Sequence, residues 1–410
     1  MIIEGKILNQ NHQWQFMQIL LNQNTAKIEK VEPNIGKADY SFTDQLIFPG
    51  FIDLHVHARE DESKKNCHKE DFKSAGFAAI NGGVVCFGDM PNNPIPCTNS
   101  KTYRNKNELT KKAEMDIFLY AGIKPNSRPI SKNIPYKLYM GPSTGTQGFD
   151  NDKQLDETLS YFNNHWVSFH CEDPDILKMS ESQATFEKRR PPEAEIVAIQ
   201  KAIKLIEKHK LTGIICHVST RKGMELIIEA QQRNVDIYSE VTPHHLYFDE
   251  TMINSSNKTR LIMNPPLRTK EDRLGLLDLL KTGKIDFLAT DHAPHLLEEK
   301  SNGAAGVPHL DTYGSFVTWL LVKQGVSPNI IEKITSKNAA YILNRFKIRS
   351  GYGYIKEGLG GFLTIIDPHQ KIKIHPKLLK TKCQWSPFEN IEFPGNVVAT
   401  VYKSQIKLIN

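Results

Sequence analysis

The 410-residue chain has no apolar run near the roughly 20 residues a membrane-spanning helix needs, and no basic-then-apolar stretch opens it. Cysteine is scarce. The six present (Cys67, Cys86, Cys97, Cys171, Cys216, Cys383) form no Cys-x-x-Cys pair and sit mostly inside apolar runs, which suits reduced thiols and a cytoplasmic protein. Long blocks of one charge are missing too. The 52 basic and 46 acidic residues are scattered, so the net charge of +6 hints at anionic partners at most and lays down no footprint for nucleic acid or a membrane surface. No internal repeat or low-complexity segment appears. Hydrophobic content of 39% and charged content of 24% describe an ordinary soluble protein, long enough for roughly two or three domains or one large barrel with an appended piece.

Residues 1–47 read as short strands. Met1 to Leu8 and Gln13 to Leu21 mix β-branched and aromatic residues with polar ones around the turn Asn9-Gln10-Asn11. From Gly50 the texture becomes short apolar runs alternating with helical patterns. Strands are expected at Gly50 to Val56, Val84 to Met90, Asp116 to Gly122, Tyr136 to Met140, Val167 to Cys171, Gly213 to Ser219, Asp236 to Thr242 and Asp286 to Asp291. Helices are expected between them, among others Asp71 to Ile80, Glu193 to His209 behind Pro191-Pro192, Arg221 to Arg233, and Glu271 to Leu280. Strand-helix alternation argues a parallel sheet, and eight strands argue closure into a TIM-type (β/α)₈ barrel, with the helix between the third and fourth strands missing or irregular. Helical patterns recur near Asp311 to Lys323 and Ser336 to Asn344. The tail then returns to strands at Gly361 to Ile366, Lys371 to Ile374 and Val397 to Ile409. The expected organisation is an α/β barrel over residues 48–350, flanked by one small composite β-sheet domain from residues 1–47 and 351–410.

One stretch organises the chemistry: Phe48-Pro49-Gly50-Phe51-Ile52-Asp53-Leu54-His55-Val56-His57-Ala58-Arg59-Glu60. Alternate residues of a strand share a face, so His55 and His57 point the same way, with Arg59 just past the strand's end. Barrel sites lie at the C-terminal strand ends, and that rule collects Lys137 from the fourth strand, His170 from the fifth, His217 from the sixth and Asp291 from the eighth. Singly, each has a dull explanation: a strand-end histidine is usually structural, and a lysine usually snorkels to solvent. Jointly, four histidines, an aspartate and a lysine are the ligand types of a hydrolytic metal centre holding two divalent ions. Two cations that close need a bridging anion. An ammonium cannot supply one; a lysine that has taken up CO₂ can, as a carbamate.

These residues, with Met90-Pro91-Asn92, Lys137-Leu138-Tyr139-Met140-Gly141, His170-Cys171-Glu172-Asp173, Cys216-His217-Val218-Ser219, Glu240-Val241-Thr242-Pro243-His244-His245-Leu246, Asn264-Pro265-Pro266-Leu267-Arg268 and Asp291-His292-Ala293-Pro294-His295, resemble the amidohydrolase superfamily and, within it, the dihydroorotases of pyrimidine biosynthesis. The resemblance covers nearly the whole chain. It implies two zinc ions held by His55, His57, His170, His217, Asp291 and carbamylated Lys137. Arg59, Asn92 and His295 would hold the carboxylate of dihydroorotate or N-carbamoyl-L-aspartate, and Asn264 would contact the ring. A hydroxide shared by the metals would attack the ring amide, with Asp291 as general base and then general acid. Relatives also imply a homodimer.

Some positions depart from the family pattern. Arg59-Glu60-Asp61-Glu62-Ser63 lacks the Pro-Gly turn usual after the arginine, Asn93 stands where threonine is common, which could shift the substrate contact to Asn93, and Asp311 replaces a common glutamate. Cys216 and Glu240 match positions that hold a further zinc in the animal multifunctional enzyme; a buried thiol and a carboxylate that only supports a ligand are the competing reading. Lys137 to Thr146 reads as a lid or a plain surface loop. Three other functions compete. Another cyclic amidase (allantoinase or dihydropyrimidinase) has no use for the carboxylate-binding set, an inactive homologue scaffolding aspartate transcarbamoylase would not need intact ligands, and a nucleic-acid or membrane surface protein would cluster its lysines.

Overall fold

The computed structural model describes residues 1–142 and 148–409. Eight short parallel strands form the centre: Phe51–Val56, Val84–Asp89, Asp116–Leu119 continued by Ala121–Gly122, Tyr136–Tyr139, Trp166–His170, Thr212–Ile215, Ile237–Val241 and Phe287–Leu288. The third is interrupted only at Tyr120, whose N–H donates to the Asp89 carbonyl. The circle closes where Val56 bridges His292 and the His57 N–H donates to the His292 carbonyl at 2.8 Å. Every residue of the first two strands is buried, as expected when helices cover one face and neighbouring side chains fill the other.

Local chemistry explains the helix ends. Asp71 caps Phe72–Asn81 through a reciprocal pair with Ser74, proline opens Pro192–His209, and Thr220 and Thr269 cap Arg221–Gln232 and Lys270–Lys281. No helix joins the third and fourth strands. The Tyr136 hydroxyl instead pins that connection, accepting from the N–H groups of Ile130 and Ser131 and donating to the Ser131 carbonyl. Among the described residues no helix is long and apolar enough to cross a membrane.

The two ends of the chain meet in a seven-stranded sheet ordered Gln405–Leu408, Asn396–Tyr402, Leu363–Asp367, Tyr40–Pro49, Ile2–Leu8, Trp14–Asn22, Lys27–Glu32. One expectation changes. Ile372–Lys373 does not join this sheet but pairs antiparallel with Glu392–Phe393 in a separate ladder. The reason lies in the segment between them and in Phe393 itself: Trp385, Phe388 and Phe393 are fully buried, with Phe388 packed on Tyr247, Phe248, Phe316 and His309 of the barrel. Burying such aromatic area outweighs the pairing available at a sheet edge. Asp311 ties the same segment down by accepting from the N–H groups of Lys380 and Thr381, a role for its shortened side chain that the sequence did not disclose.

Thr364 stitches sheet to barrel. Its hydroxyl donates to the Gly83 carbonyl at 2.5 Å and accepts from the Phe51 N–H at 3.1 Å, so it touches both first strands away from the site. Thr364→Val, nearly equal in shape, is expected to cost about 1–3 kcal/mol for the two bonds. Denaturant titration should show that loss, with activity per folded molecule unchanged.

Candidate active site

The strand ends deliver the side chains. His55 and His57 turn their Nε2 atoms to one oxygen, Asp291 Oδ1, at 3.2 and 3.0 Å. Beneath them the buried Asp53 carboxyl joins the first and eighth strands, accepting from the backbone N–H groups of His55 and Thr290 and from the Thr290 hydroxyl. Burial raises its pKa to about 7. Arg59, His217 and Asp291 all have left-handed backbone (φ +62°, +39° and +48°), so the chain turns sharply where each strand gives out. Aspartate and histidine take up such backbone more readily than most residues, whereas for arginine it is uncommon.

A second group faces the first. His170 Nδ1 lies 2.9 Å from His217 Nε2, and the His55 and His217 rings are 5.4 Å apart. Lys137, wholly buried, has its ammonium 2.8 Å from Cys216 Sγ. No carboxylate pairs with it among the described residues. His55, His57 and Asp291 form one group able to hold a metal; His55, Cys216 and Glu240 form another. In the second, Glu240 Oε1 is already engaged, 2.7 Å from His55 Nδ1 and accepting from the His217 N–H.

Three of the four histidines are held from behind. Besides the Glu240 contact to His55, Asn92 Oδ1 is 2.7 Å from His57 Nδ1, and Glu172 Oε2 is 2.9 Å from His170 Nε2. Partners of this kind fix which imidazole nitrogen faces a metal. Burial and the neighbouring Lys137 charge push His55 down to about 3, and burial holds His57 and His217 well below the usual histidine range. Neutral imidazole is the form that ligates. Burial raises Glu240 to about 8 and Cys216 to about 12. Glu172 goes the other way, to about 2, because the Arg190 guanidinium and the His170 contact outweigh its burial.

The cleft is walled by His55, His57, Arg59, Asn92, Tyr139, His170, His217, Asn264, Asp291, Ala293, Ala305 and Gly306. Asn264 Oδ1 and the Tyr139 hydroxyl are buried there without partners among the described residues. Lys137 and His295 stand behind the wall, His295 Nε2 being 3.1 Å from the Arg59 guanidinium. Asn93 is turned away, donating to the Glu60 carbonyl and accepting from Lys106, so Asn92 is the asparagine that faces the cleft. The loop that lacks Pro-Gly is shaped by Asp61, which accepts from the N–H groups of Ser63 and Ile95. Of the expected lid, residues 143–147 lie outside the described residues.

Sequence reasoning missed Tyr139, Ala305, Gly306 and the Glu172–Arg190 support. Tyr139 carried a usable signal: two residues after Lys137 on a strand, it shares that face. Ala305 and Gly306, in a loop with no periodicity, carried none.

The profile of the amidohydrolase family matches residues 46–407. The chain is 32% identical to a dihydroorotase of Pyrococcus furiosus across 93% of this chain and 86% of that protein. It is 34% identical to a dihydroorotase of Thermococcus kodakarensis across 90% of this chain and 85% of that protein. Among solved structures, the L-hydantoinase (dihydropyrimidinase) from Arthrobacter aurescens superposes with a TM-score of 0.88 at 22% identity, covering 99% of this chain and 95% of that one, a likeness of fold.

The Glu172–Arg190 pair makes a pH-dependent contribution. A carboxyl held at about 2, against 4.5 for the ordinary group, stabilises the fold above the ordinary value, and that stability is lost as pH falls from there toward 2. Arg190→Gln is expected to cost about 3–5 kcal/mol near neutrality, the range for breaking a buried pair. Thermal unfolding should show the gap between wild type and variant narrowing from about pH 5 to about pH 3.

Proposed function

Because the chain belongs to the amidohydrolase family, we propose that this cyclic amide hydrolase is a dihydroorotase, reversibly closing N-carbamoyl-L-aspartate to (S)-dihydroorotate in pyrimidine biosynthesis. The observation that carries the reading is Arg59. The residue is 5% exposed on the cleft wall, its guanidinium is bonded to the Pro294 carbonyl and to His295, and no carboxylate contacts it among the described residues. A buried guanidinium in that state is matched by a ligand carboxylate, which can take two of its N–H donors side by side. Dihydroorotate carries a carboxylate beside its ring amide. The neutral rings of allantoinase or dihydropyrimidinase substrates do not, and a scaffolding homologue has no need of such an arrangement.

Two zinc ions fit the donor set. His55, His57 and Asp291 converge on one point, His170 and His217 on a neighbouring one. Lys137 is buried close by, with no carboxylate in ion-pair contact among the described residues, and its carbamate would supply the anion two such cations need. Glu240 is better read as support for His55 than as a ligand of a third ion, since it already contacts His55 and the His217 backbone. The ions would polarise the ring carbonyl and lower the pKa of water. The protein does the rest. Arg59 and Asn92 grip the carboxylate end while His295, neutral because burial and the nearby cations hold it down to about 2, aligns the guanidinium. Asn264 offers its unpartnered carbonyl oxygen to a ring N–H. Asp291 accepts the proton of the attacking water and passes it to the departing ring nitrogen; ring closure runs these steps in reverse. The six free cysteines suit a reducing compartment, and the cytoplasm is the proposed location.

Purified enzyme should turn over dihydroorotate in preference to allantoin and dihydrouracil, and metal analysis should find about two zincs per chain. Lys137→Ala should lose nearly all activity together with bound zinc; a fully active, fully loaded variant would refute the bridging role. Arg59→Met should lose about 2–5 kcal/mol of substrate binding, read as a raised KM, with zinc content intact.

A further inference from the structure

Lys300, on the short helix Leu297–Ser301, is wholly buried and takes no part in the chemistry described so far. Its ammonium donates to three main-chain carbonyls: Ile262 at 2.6 Å, Ala304 at 2.8 Å and Gly306 at 2.9 Å. Three acceptors match the three N–H groups of a charged lysine. No carboxylate pairs with it among the described residues, and the Trp385 ring lies 5.9 Å away. The carbonyls belong to two segments that build the cleft. One leads into Asn264, and the other contains Ala305 and Gly306 on the wall. The Gly306 N–H also donates to the Ile262 carbonyl, so the lysine closes a knot joining the two. Gly306 has φ +135°, and a Cβ there would stand 2.5 Å from the Ala293 carbonyl oxygen, which leaves the knot no slack on its other side.

From this arrangement we propose that Lys300 is a specificity-determining positioning residue for the anionic substrate: it pins both segments to the cleft and adds a second buried positive charge behind the carboxylate pocket. The charge is felt there. Lys300 is among the cations that hold His295 down, and burial with Arg59 nearby lowers Lys300 itself, to about 7. Burying an ammonium without a counter-ion is costly, and a substrate carboxylate offsets part of that cost on binding. A lysine that only holds the three carbonyls could give way to a neutral N–H donor such as glutamine; one that serves an anion could not. The inference rests on the dihydroorotase reading for the identity of that anion.

Lys300→Gln tests it, because glutamine keeps N–H donors for the carbonyls and removes the charge; Lys300→Met, which removes the charge and the donors but keeps the side chain's length, serves if the glutamine variant does not fold. The readouts are KM and kcat for dihydroorotate, the inhibition constant of orotate, which bears the same carboxylate on an unsaturated ring, and zinc content. KM and the orotate constant should rise together by about tenfold or more, with kcat within about twofold of wild type and zinc unchanged. An unchanged KM in a folded variant, or a parallel fall of kcat and zinc content, would overturn the inference. Wild-type enzyme inert toward dihydroorotate would instead strike the dihydroorotase reading. Calorimetric binding of orotate to wild type and variant would then still decide whether Lys300 serves an anion.

Discussion

A neutral imidazole can turn either nitrogen to a metal, and the mouth of this barrel works only if each one is told which. The constraint is met from behind. Glu240 takes Nδ1 of His55, Asn92 takes Nδ1 of His57, and Glu172 takes Nε2 of His170, so the remaining nitrogens face inward. Glu172 has a further partner, and the strand that carries His55 and His57 has its own tie. Arg190 grips Glu172 and reaches the Pro142 carbonyl, while Asp53 locks the first strand to the eighth beneath the histidines. A loss at either point would reach a histidine of the proposed metal site rather than staying local.

The other half of the cleft obeys an opposite electrostatic rule. Where the histidines meet, carboxylates are close at hand; where Arg59 and Lys300 lie, none contacts either cation among the described residues, and their bonds go to main-chain carbonyls and a neutral histidine. The cleft is therefore polarised along its length. The proposed substrate, with an anion at one end and a hydrolysable amide at the other, would be oriented there before any proton moves, which is how binding energy becomes positioning.

Much of this was legible in the sequence, for physical reasons. Two-residue periodicity put His55 and His57 on one face, and the rule that barrel sites gather at strand ends singled out Lys137, His170, His217 and Asp291 across long separations. The eight strands could be read because each is a short apolar run bounded by turn chemistry. What escaped notice lacked such a signal. Lys300 looks like any lysine in Leu-Glu-Glu-Lys-Ser until the carbonyls of residues 262, 304 and 306 are brought around it, and Arg190 meets Glu172 only after the fifth strand and the helix beyond it pack. The ladder at Ile372–Lys373 went astray because strand pattern says nothing of which edge a strand will join; aromatic side chains elsewhere in its segment decided that.

The strand Tyr40–Pro49 lies in the middle of the seven-stranded sheet, between Ile2–Leu8 and Leu363–Asp367. During synthesis its first neighbour leaves the ribosome just ahead of it and its second only after the whole barrel. Until then one side of a growing sheet stands open, with N–H and C=O groups ready to pair with any passing strand. An enzyme built this way exposes its nascent chain to sticking for as long as the barrel takes to be made, and it gains a sheet that cannot be completed around a truncated product.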